Sequence, residues 1–284
     1  MITLIWLAPY QARSQNFTET IDRTATFTEP GSSSNTLHVF NINGFVTVEG
    51  YEVDEIQVTA HKTLRADSKQ ALERARREIS LVVDVEDDHL LIYPDGPFID
   101  ITKREGNISY RMEEWNEEYK FHFDLTLLVP SGTNVEASTI NRGDVTIRNL
   151  NAPRLTARNV NGNILLKNVS GKTRAHTVNG DITAYHHSSP ASDSDYQTLN
   201  GTIKVHYSEN LSAVIRFTSL HGDLYTDFQD IRRLAPLVEQ SEFQPGDGHT
   251  YRIDRFSPLH IGSGGPEIRF KVLNGDVYIK QIQY

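Results

Sequence analysis

The 284-residue chain contains no cysteine. Disulfide bonds, thiolate nucleophiles and cysteine-ligated metal sites are therefore excluded. Basic residues are also in deficit, because 28 Lys and Arg stand against 37 Asp and Glu and leave a formal net charge of −9. That sign is unfavourable for contacts with phosphate backbones, so we expect no nucleic-acid partner.

Long apolar runs are missing as well. No segment approaches the ~18 to 20 consecutive apolar residues that a membrane-spanning helix needs, so we predict that the chain is not an integral membrane protein. The hydrophobic fraction of 38% is nevertheless sufficient for a packed core. We therefore expect a globular protein.

The N-terminus has a short apolar run, residues 1–8, followed by polar sequence. This order resembles the end of a signal peptide, although the basic residues that usually precede such a run are missing. We interpret residues 1–16 as a signal-peptide remnant, which predicts export to the periplasm or the cell surface. The alternative is a buried first strand.

Residues 17–130 are predicted to form an N-terminal β region. The first part of it is polar, and alternating apolar residues indicate strands only from about Thr36 onward. Asn43 and Gly44 separate two such segments, which is typical of a hairpin turn.

One helix is predicted within this region, near residues 68–80. Asp67 and Gln70 suit the N-cap and N3 positions of a capping box. Leu72, Ala75 and Ile79 then recur at helical spacing and predict one buried helix face.

Residues 131–284 repeat a short element, Asn-Gly-Asp/Asn-Ile/Val followed by alternating residues. Its glycines lie at 143, 162, 180, 201 and 222, with gaps of 19, 18, 21 and 21, and a last copy follows at Gly275. Such periods are typical of solenoids. We therefore predict an all-β solenoid or β-roll of short stacked strands over residues 131–284, with an insertion near 228–260. Residues 230–243 of this insertion predict a short helix, and the last copy is expected to cap the stack.

Alternation after each glycine separates an inner from an outer column. The second and fourth positions are nearly always apolar and predict the core. The residues between them are expected to face solvent or a partner. They are Thr146, Leu165, Thr183, Lys204, Tyr225 and Tyr278.

Stacking also aligns the turn residues. The asparagines at 161, 179, 200 and 274 are expected to form a structural ladder, because turn chemistry already explains them. The aspartates at 144, 181, 223 and 276 suggest a calcium column, but the second glycine pair of calcium-binding repeats is missing. We expect solvated turn carboxylates instead.

Reactive groups do not assemble into a recognisable site. His186, His187 and His206 follow successive repeat glycines but share no column, so surface histidines are favoured over a metal site. Glu113–Glu118 suggests glycosidase acids around Trp115, and a solvated acidic hairpin tip explains it better. We therefore predict no catalytic, cofactor-binding or metal-ligating residues, no cofactor, and no enzymatic activity.

Several motifs together resemble those of the bacterial putative-adhesin family of unknown-function proteins. They are the repeats themselves, Asn43–Gly50, Leu127–Gly132 before the repeats, and the closing Gly264–Ile279, so the resemblance covers about residues 35–284. It implies a right-handed β-solenoid or β-roll, frequent export, and no catalytic residues. Arg142 and His221 replace the turn asparagine in two copies, which leaves the local turn type open.

Three functional hypotheses from different classes remain. The leading one is a non-catalytic, exported, adhesin-like binding or structural module of the bacterial cell envelope, contacting an envelope protein or a glycan. The alternative is a carbohydrate-active enzyme of the parallel β-helix type, in which carboxylates on adjacent coils act as acid and base, with Asp181 and Asp223 among the candidates. An envelope-stress accessory protein is a third hypothesis. The ligand and the oligomeric state stay open.

Overall fold

A computed structural model describes residues 15–104, 107–112, 118–234, 238–241, 250–253 and 258–282. Strands make up 66% of the chain and helix 4%, which confirms the predicted all-β class with one helix. No helix in these described ranges is both long and apolar enough to cross a bilayer.

The elements follow one another along the chain as strands with a single helix between the fourth and fifth. The strands of the N-terminal part are β1 (Gln15–Ala25), β2 (Thr36–Phe40), β3 (Val46–Tyr51), β4 (Ile56–Ala66), β5 (Ser80–Glu86), β6 (His89–Asp95), β7 (Ile99–Arg104), β8 (Asn107–Met112) and β9 (Tyr119–Pro130), and the helix is α1 (Lys69–Glu78).

The remaining strands contain the repeats and the insertion. They are β10 (Asn134–Thr139), β11 (Val145–Asn159), β12 (Ile164–Asn179), β13 (Ile182–His186), β14 (Ser194–Asn200), β15 (Ile203–Tyr207), β16 (Ala213–His221), β17 (Leu224–Thr226), β18 (Ile231–Arg233), β19 (Val238–Ser241), β20 (Thr250–Ile253), β21 (Leu259–Ile261), β22 (Glu267–Asn274) and β23 (Val277–Gln281).

The repeats stack as coils, each with one strand before its turn and one strand after it. Like strands of neighbouring coils pair in parallel and in register. We number the coils in spatial order by their turns: coil 1 (Asn43–Gly44), coil 2 (Asn141–Gly143), coil 3 (Asn161–Gly162), coil 4 (Asn179–Gly180), coil 5 (Asn200–Gly201), coil 6 (Asn274–Gly275) and coil 7 (His221–Gly222).

Coil 1 comes from the N-terminal part of the chain, so the stack begins before residue 131. Its strands β2 and β3 pair in parallel with β10 and β11 on one side and with β6 and β9 on the other. Asn43 and Gly44 therefore form a corner between two sheets, and the hairpin prediction is wrong. Two antiparallel strands, β4 and then β1, extend the sheet beyond β9.

The order of the coils in space differs from their order in the chain. Strand β22 lies between β14 and β16, and β23 lies between β15 and β17. The last copy of the repeat is thus coil 6, inside the stack, and the prediction that it caps the stack is wrong. The long connection between Gly222 and Gly275 gives the chain enough length to return by one coil.

The predicted inner column forms the core. Val145, Ile147, Ile182 and Ala184 are all 0% exposed, as are their counterparts in coils 5 and 6. Leu224 and Thr226 of coil 7 are only partly buried. Coil 7 lies at the end of the parallel stack, where β17 pairs with β23 alone among the described strands.

Strand β1 was not expected, because its sequence is polar. It pairs with β4 over its whole length, and most of its side chains are exposed. Only Phe17, Ile21 and Ala25 pack against the core. Because only every fourth residue of β1 is apolar, the strand does not show a period of two.

The helix is confirmed, and its N-cap differs from the prediction. Ser68 is the N-cap and its side chain accepts a hydrogen bond from the Ala71 backbone. Ser68 has the extended backbone that an N-cap requires, so the helix begins one residue later than expected. Ala71, Leu72 and Ala75 are buried against the sheet.

The insertion contains strands where a short helix was expected. Ile231–Arg233 pairs with β21 in antiparallel fashion, and Val238–Ser241 pairs with β20. Pairing supplies backbone hydrogen bonds, whereas a helix this short is marginal without tertiary support. The short-helix prediction for residues 230–243 is therefore wrong.

Candidate binding surfaces

Side chains of the turn asparagines form a hydrogen-bonded ladder along one edge of the stack. Asn161 Nδ2 donates to Asn141 Oδ1 over 3.0 Å, and Asn179 Nδ2 donates to Asn161 Oδ1 over 2.9 Å. The series continues over 2.8 Å from Asn200 to Asn179 and over 2.8 Å from Asn274 to Asn200. The predicted structural ladder is confirmed, and its amides are engaged with each other.

The turn aspartates also bridge coils. Asp181 Oδ1 accepts a hydrogen bond from the Thr202 backbone N–H over 2.7 Å, and Asp276 Oδ1 accepts one from Asp223 over 3.0 Å. Asp144 makes the same contact with coil 3. Each of these carboxylates thus satisfies a backbone donor of the next coil. Among the residues that the structure describes, no three His, Asp or Glu side chains converge as a metal-binding group.

The turn glycines are required by close stacking. A Cβ atom on Gly180 would lie 2.1 Å from the carbonyl oxygen of Gly162, and one on Gly201 would lie 2.0 Å from that of Gly180. Positive φ, the usual reason for a glycine in a turn, applies to only some of them, such as Gly275 with a φ of 140°. The common cause is the neighbouring coil's backbone.

The outer column after the turns carries aromatic and basic side chains. In register across coils 4 to 7 it reads Thr183, Lys204, Tyr278 and Tyr225. We call this surface the aromatic face, together with the adjacent outward residues Tyr185, His206 and Lys280. The expectation that this column faces outward holds, because Lys204 and Tyr225 are exposed and Tyr278 is half-buried.

Two stacked ring pairs organise the aromatic face. The Tyr185 and His206 rings lie 4.3 Å apart at an interplanar angle of 15°, and the Tyr225 and Tyr278 rings lie 5.0 Å apart at 14°. Lys280 Nζ lies 5.7 Å from the centroid of the Tyr278 ring. Rings held parallel on a sheet form a rigid platform, and the Tyr278 hydroxyl donates to Asp276 Oδ2 over 3.4 Å at its border.

The charges around the platform keep its rings neutral. Burial, followed by the positive charge of Lys280, lowers the pKa of His206. The negative charge of Asp276 and then of Asp223 raises the pKa of Tyr225. At neutral pH the platform therefore offers an uncharged imidazole and protonated phenols, with lysines beside them.

The histidines considered as metal ligands do not meet. His206 lies on the aromatic face, whereas His186 is inside the stack and only 3% exposed. His186 Nε2 lies 2.5 Å from the Tyr196 hydroxyl oxygen, and its ring stacks on Tyr207 at 4.8 Å. Burial lowers the pKa of His186 to about 4, so it is a neutral core residue. The expectation of surface histidines is wrong for this one.

The two carboxylates singled out for the enzyme alternative, Asp181 and Asp223, do not lie on adjacent coils. Asp181 belongs to coil 4 and Asp223 to coil 7, so three coil spacings of about 4.8 Å separate their backbones, or about 14 Å. Glycosidase carboxyl pairs lie about 5 to 9.5 Å apart. Residues 113–117 of the acidic segment lie outside the described residues, and Glu118 forms an ion pair with Arg74.

Tyr225 and Tyr278 occupy the same outer column of the repeat, but the sequence alone does not bring them together. In the sequence they stand 53 residues apart, and their contact depends on the return of the last repeat into the stack. The only signal was the shared position, three residues after the glycine of each copy.

Residues 124–255, a little under half of the chain, match the Toastrack DUF4097 family. The stacked sheet is consistent with the β-solenoid-like fold of that family. No curated protein matches the chain in sequence.

Solved structures of bacterial proteins are similar at low identity. One is a putative cell adhesion protein from Clostridium sporogenes, 10% identical, with 93% of this chain and 100% of that chain covered and a TM-score of 0.38. A putative adhesin from Bacteroides fragilis is 11% identical, with 93% of this chain and 97% of that chain covered and a TM-score of 0.28. A putative lipid binding protein from Parabacteroides distasonis is 13% identical, with 93% of this chain and 97% of that chain covered and a TM-score of 0.26.

Proposed function

We propose that this chain is a non-catalytic, adhesin-like binding module of the bacterial cell envelope that contacts its partner through the aromatic face. The observation that carries the proposal is the pair of ring stacks, Tyr225 with Tyr278 and Tyr185 with His206, held on a flat exposed sheet. Exposed rings flanked by polar groups supply large contact area at little entropic cost, and they suit the faces of sugar rings.

The chemistry of the face favours a glycan over a charged ligand. The Tyr225 and Tyr278 hydroxyls stay protonated at neutral pH. The negative charge of Asp276 raises the pKa of Tyr225, and burial, followed by the charge of Asp276, raises the pKa of Tyr278. Lysine ammonium groups and turn carboxylates then surround the rings with donors and acceptors that match sugar hydroxyls. An envelope protein is the second class of partner that such a surface suits.

Binding tests this proposal directly. The double variant Tyr225→Ser and Tyr278→Ser is expected to bind neutral oligosaccharides on a glycan array about tenfold more weakly than the wild type, since a ring stack contributes about 0.5 to 1.5 kcal/mol beyond its area. Phe45→Ser is the matched control, because Phe45 is an exposed aromatic in coil 1, far from these rings. Equal binding by both variants would contradict the proposal, and sugar cleavage would favour the enzyme hypothesis.

Export is a separate part of the proposal, and it rests on the apolar start of the sequence, residues 1–8. Fractionation of the native host with mass spectrometry of the mature N-terminus tests it. A protein in the periplasm or outer membrane, cut near residues 12–20, is the expected result. An intact Met1 in the cytosol would overturn export and leave the binding surface to be matched with intracellular partners.

A further inference from the structure

One stretch of the sequence is free of acidic residues. Residues 145–180 contain six Lys and Arg and no Asp or Glu, in a chain of net charge −9. The rest of the chain therefore carries −9 − 6 = −15. This charge separation concentrates positive potential on one part of an acidic molecule. Such a region attracts anionic partners.

The fold gathers most of these cations on one surface, the outer face of the strands before the turns. In register across coils 3 and 4, Arg154 lies beside Lys172, Thr156 beside Arg174, and Arg158 beside His176. We call Arg154, Arg158, Lys172, Arg174 and His176 the basic patch. Arg154, Arg158 and Arg174 are exposed, and Lys172 and His176 are partly exposed. This face belongs to the other sheet of the stack, not to the aromatic face.

Neighbouring carboxylates are already engaged. Glu136 on coil 2 forms an ion pair with Arg158 and lies 3.2 Å from His38 Nδ1. Asp195 on coil 5 hydrogen-bonds with His176 and also pairs in register with Arg174. The His176 hydrogen bond and, to a smaller extent, the Arg174 charge lower the pKa of Asp195. Within the described residues no carboxylate forms an ion pair with Arg154, Lys172 or Arg174.

We propose that the basic patch is a second binding site, separate from the aromatic face, for an anionic polysaccharide that carries carboxylate or sulfate groups. Residues two apart on a strand are about 7 Å apart and neighbouring coils about 4.8 Å apart, so the cations form a flat grid. A flat grid of cations can bind anionic groups that are spaced along an extended polymer. The guanidinium groups of Arg154 and Arg174 can each bind a carboxylate or sulfate group in bidentate fashion.

The surroundings of the patch favour this occupant over other polyanions. Duplex DNA carries one charge per about 1.7 Å, so a long duplex would extend over the acidic remainder of the molecule. An anionic membrane lying on the turn edge would meet the exposed turn carboxylates Asp144 and Asp181. A thin, sparsely charged polymer that crosses coils 3 and 4 avoids both sources of repulsion.

Titration with defined polymers tests the site. Wild-type protein is expected to bind polygalacturonate or dextran sulfate at low salt, to bind neutral dextran at least tenfold more weakly, and to lose affinity as NaCl rises from about 50 to about 200 mM. The triple variant Arg154→Thr, Lys172→Thr and Arg174→Thr should bind about tenfold or more weakly and with a smaller salt dependence.

The matched control removes the same charge elsewhere. Arg65→Thr, Lys69→Thr and Lys120→Thr also delete three exposed cations, and this variant should bind within about twofold of the wild type. Equal losses in both triple variants would overturn the proposal, as would unchanged binding by the patch variant or no binding of either anionic polymer. If the protein binds vesicles of phosphatidylserine and phosphatidylcholine, or a DNA duplex, more tightly than either anionic polysaccharide, the proposed polysaccharide ligand would be wrong and the membrane or DNA would take its place. Neutral-glycan binding through the aromatic face is measured separately, so either proposal can fail alone.

Discussion

At the scale of single residues, the turn glycines are set by contact with the neighbouring coil. Gly143, Gly162, Gly180, Gly201 and Gly275 each approach the backbone of the coil before them so closely that a Cβ atom has no room. The requirement for glycine in one coil thus comes from the position of the neighbouring coil's backbone. This explains why the residue recurs although its φ differs between copies.

The first prediction concerns this approach. Gly180→Ala should lower the free energy of unfolding by about 3 kcal/mol, because the added Cβ would lie 2.1 Å from a backbone oxygen that cannot turn away. Gly132→Ala is the control, since nothing lies within 4 Å of its Cβ position and its φ is ordinary. Urea denaturation of both variants measures the difference, and equal stabilities would show that the coils can separate without cost.

The buried His186 makes stability depend on pH. Burial lowers its folded pKa to about 4, whereas an unfolded histidine titrates near 6.5. Between these values the unfolded chain binds the proton and the folded chain does not. Stability is therefore full above pH about 6.5 and falls as the pH approaches 4, by at most about 3 kcal/mol from this residue.

The second prediction isolates that effect. His186→Gln should be less stable than the wild type at pH 7.5, because it loses the stack on Tyr207, but its stability should fall less between pH 6.5 and pH 4.5. Carboxylates elsewhere titrate in both proteins, so the difference between the two pH profiles reports His186. Parallel profiles from urea denaturation would contradict the assignment.

At the scale of elements, the helix depends on its cap and on one buried lysine. Ser68 accepts the Ala71 N–H over 3.1 Å at the N-terminus. Lys62 Nζ donates to the Ile79 carbonyl over 2.7 Å at the other end, where the helix dipole favours a cation. The helix is thus capped locally at its N-terminus and joined to strand β4 of the sheet at its C-terminus.

The third prediction distinguishes the two candidate caps. Ser68→Ala should destabilise the protein by about 1 kcal/mol, because it leaves a helix N–H without its side-chain acceptor. Asp67→Ala should change stability by less than about 0.5 kcal/mol, as expected for an exposed residue outside the helix. Thermal unfolding of both variants checks this, and the reverse order would restore Asp67 as the cap.

Elements with strong periodicity could be predicted, and those whose role depends on neighbours could not. Leu72, Ala75 and Ile79 identified the helix because its buried face recurs every three to four residues. Asn43–Gly44 suggested a hairpin because the dipeptide alone does not say which strands its flanks join. The register with coil 2 decides that, and register is set by partners about a hundred residues away.

At the scale of the whole molecule, the repeat period predicted stacked coils but not their spatial order. Each coil contacts mainly its neighbours, so coil 7 should depend on coil 6 and hardly on coils 1 to 4. The same limit applies to the candidate sites. The outward column was predicted, whereas the Tyr225–Tyr278 stack and the grouping of the basic patch required the pairing partners.

The fourth prediction tests this order. A chain that ends at residue 257 lacks β21, β22 and β23, so β16 and β17 lose every described strand with which they pair. Hydrogen exchange of residues 213–226 should then approach that of an unfolded peptide, while coils 1 to 4 keep their protection. Continued protection of residues 213–226 would mean that coil 7 can rest directly on coil 5.

Because coil 6 lies between coils 5 and 7, the ribosome synthesises coil 7 before the coil with which it pairs. The turn of coil 7 leaves the ribosome 53 residues before that of coil 6, which at about 5 to 20 residues per second is about 3 to 10 s. During that interval the strands of coil 7 lack the partners with which they finally pair. The strand edges of coil 5 also stay unpaired. Completion of the stack thus requires β22 and β23, which are synthesised after coil 7. A prematurely ended polypeptide is left with the open edges and uncovered apolar side chains that chaperones and proteases recognise.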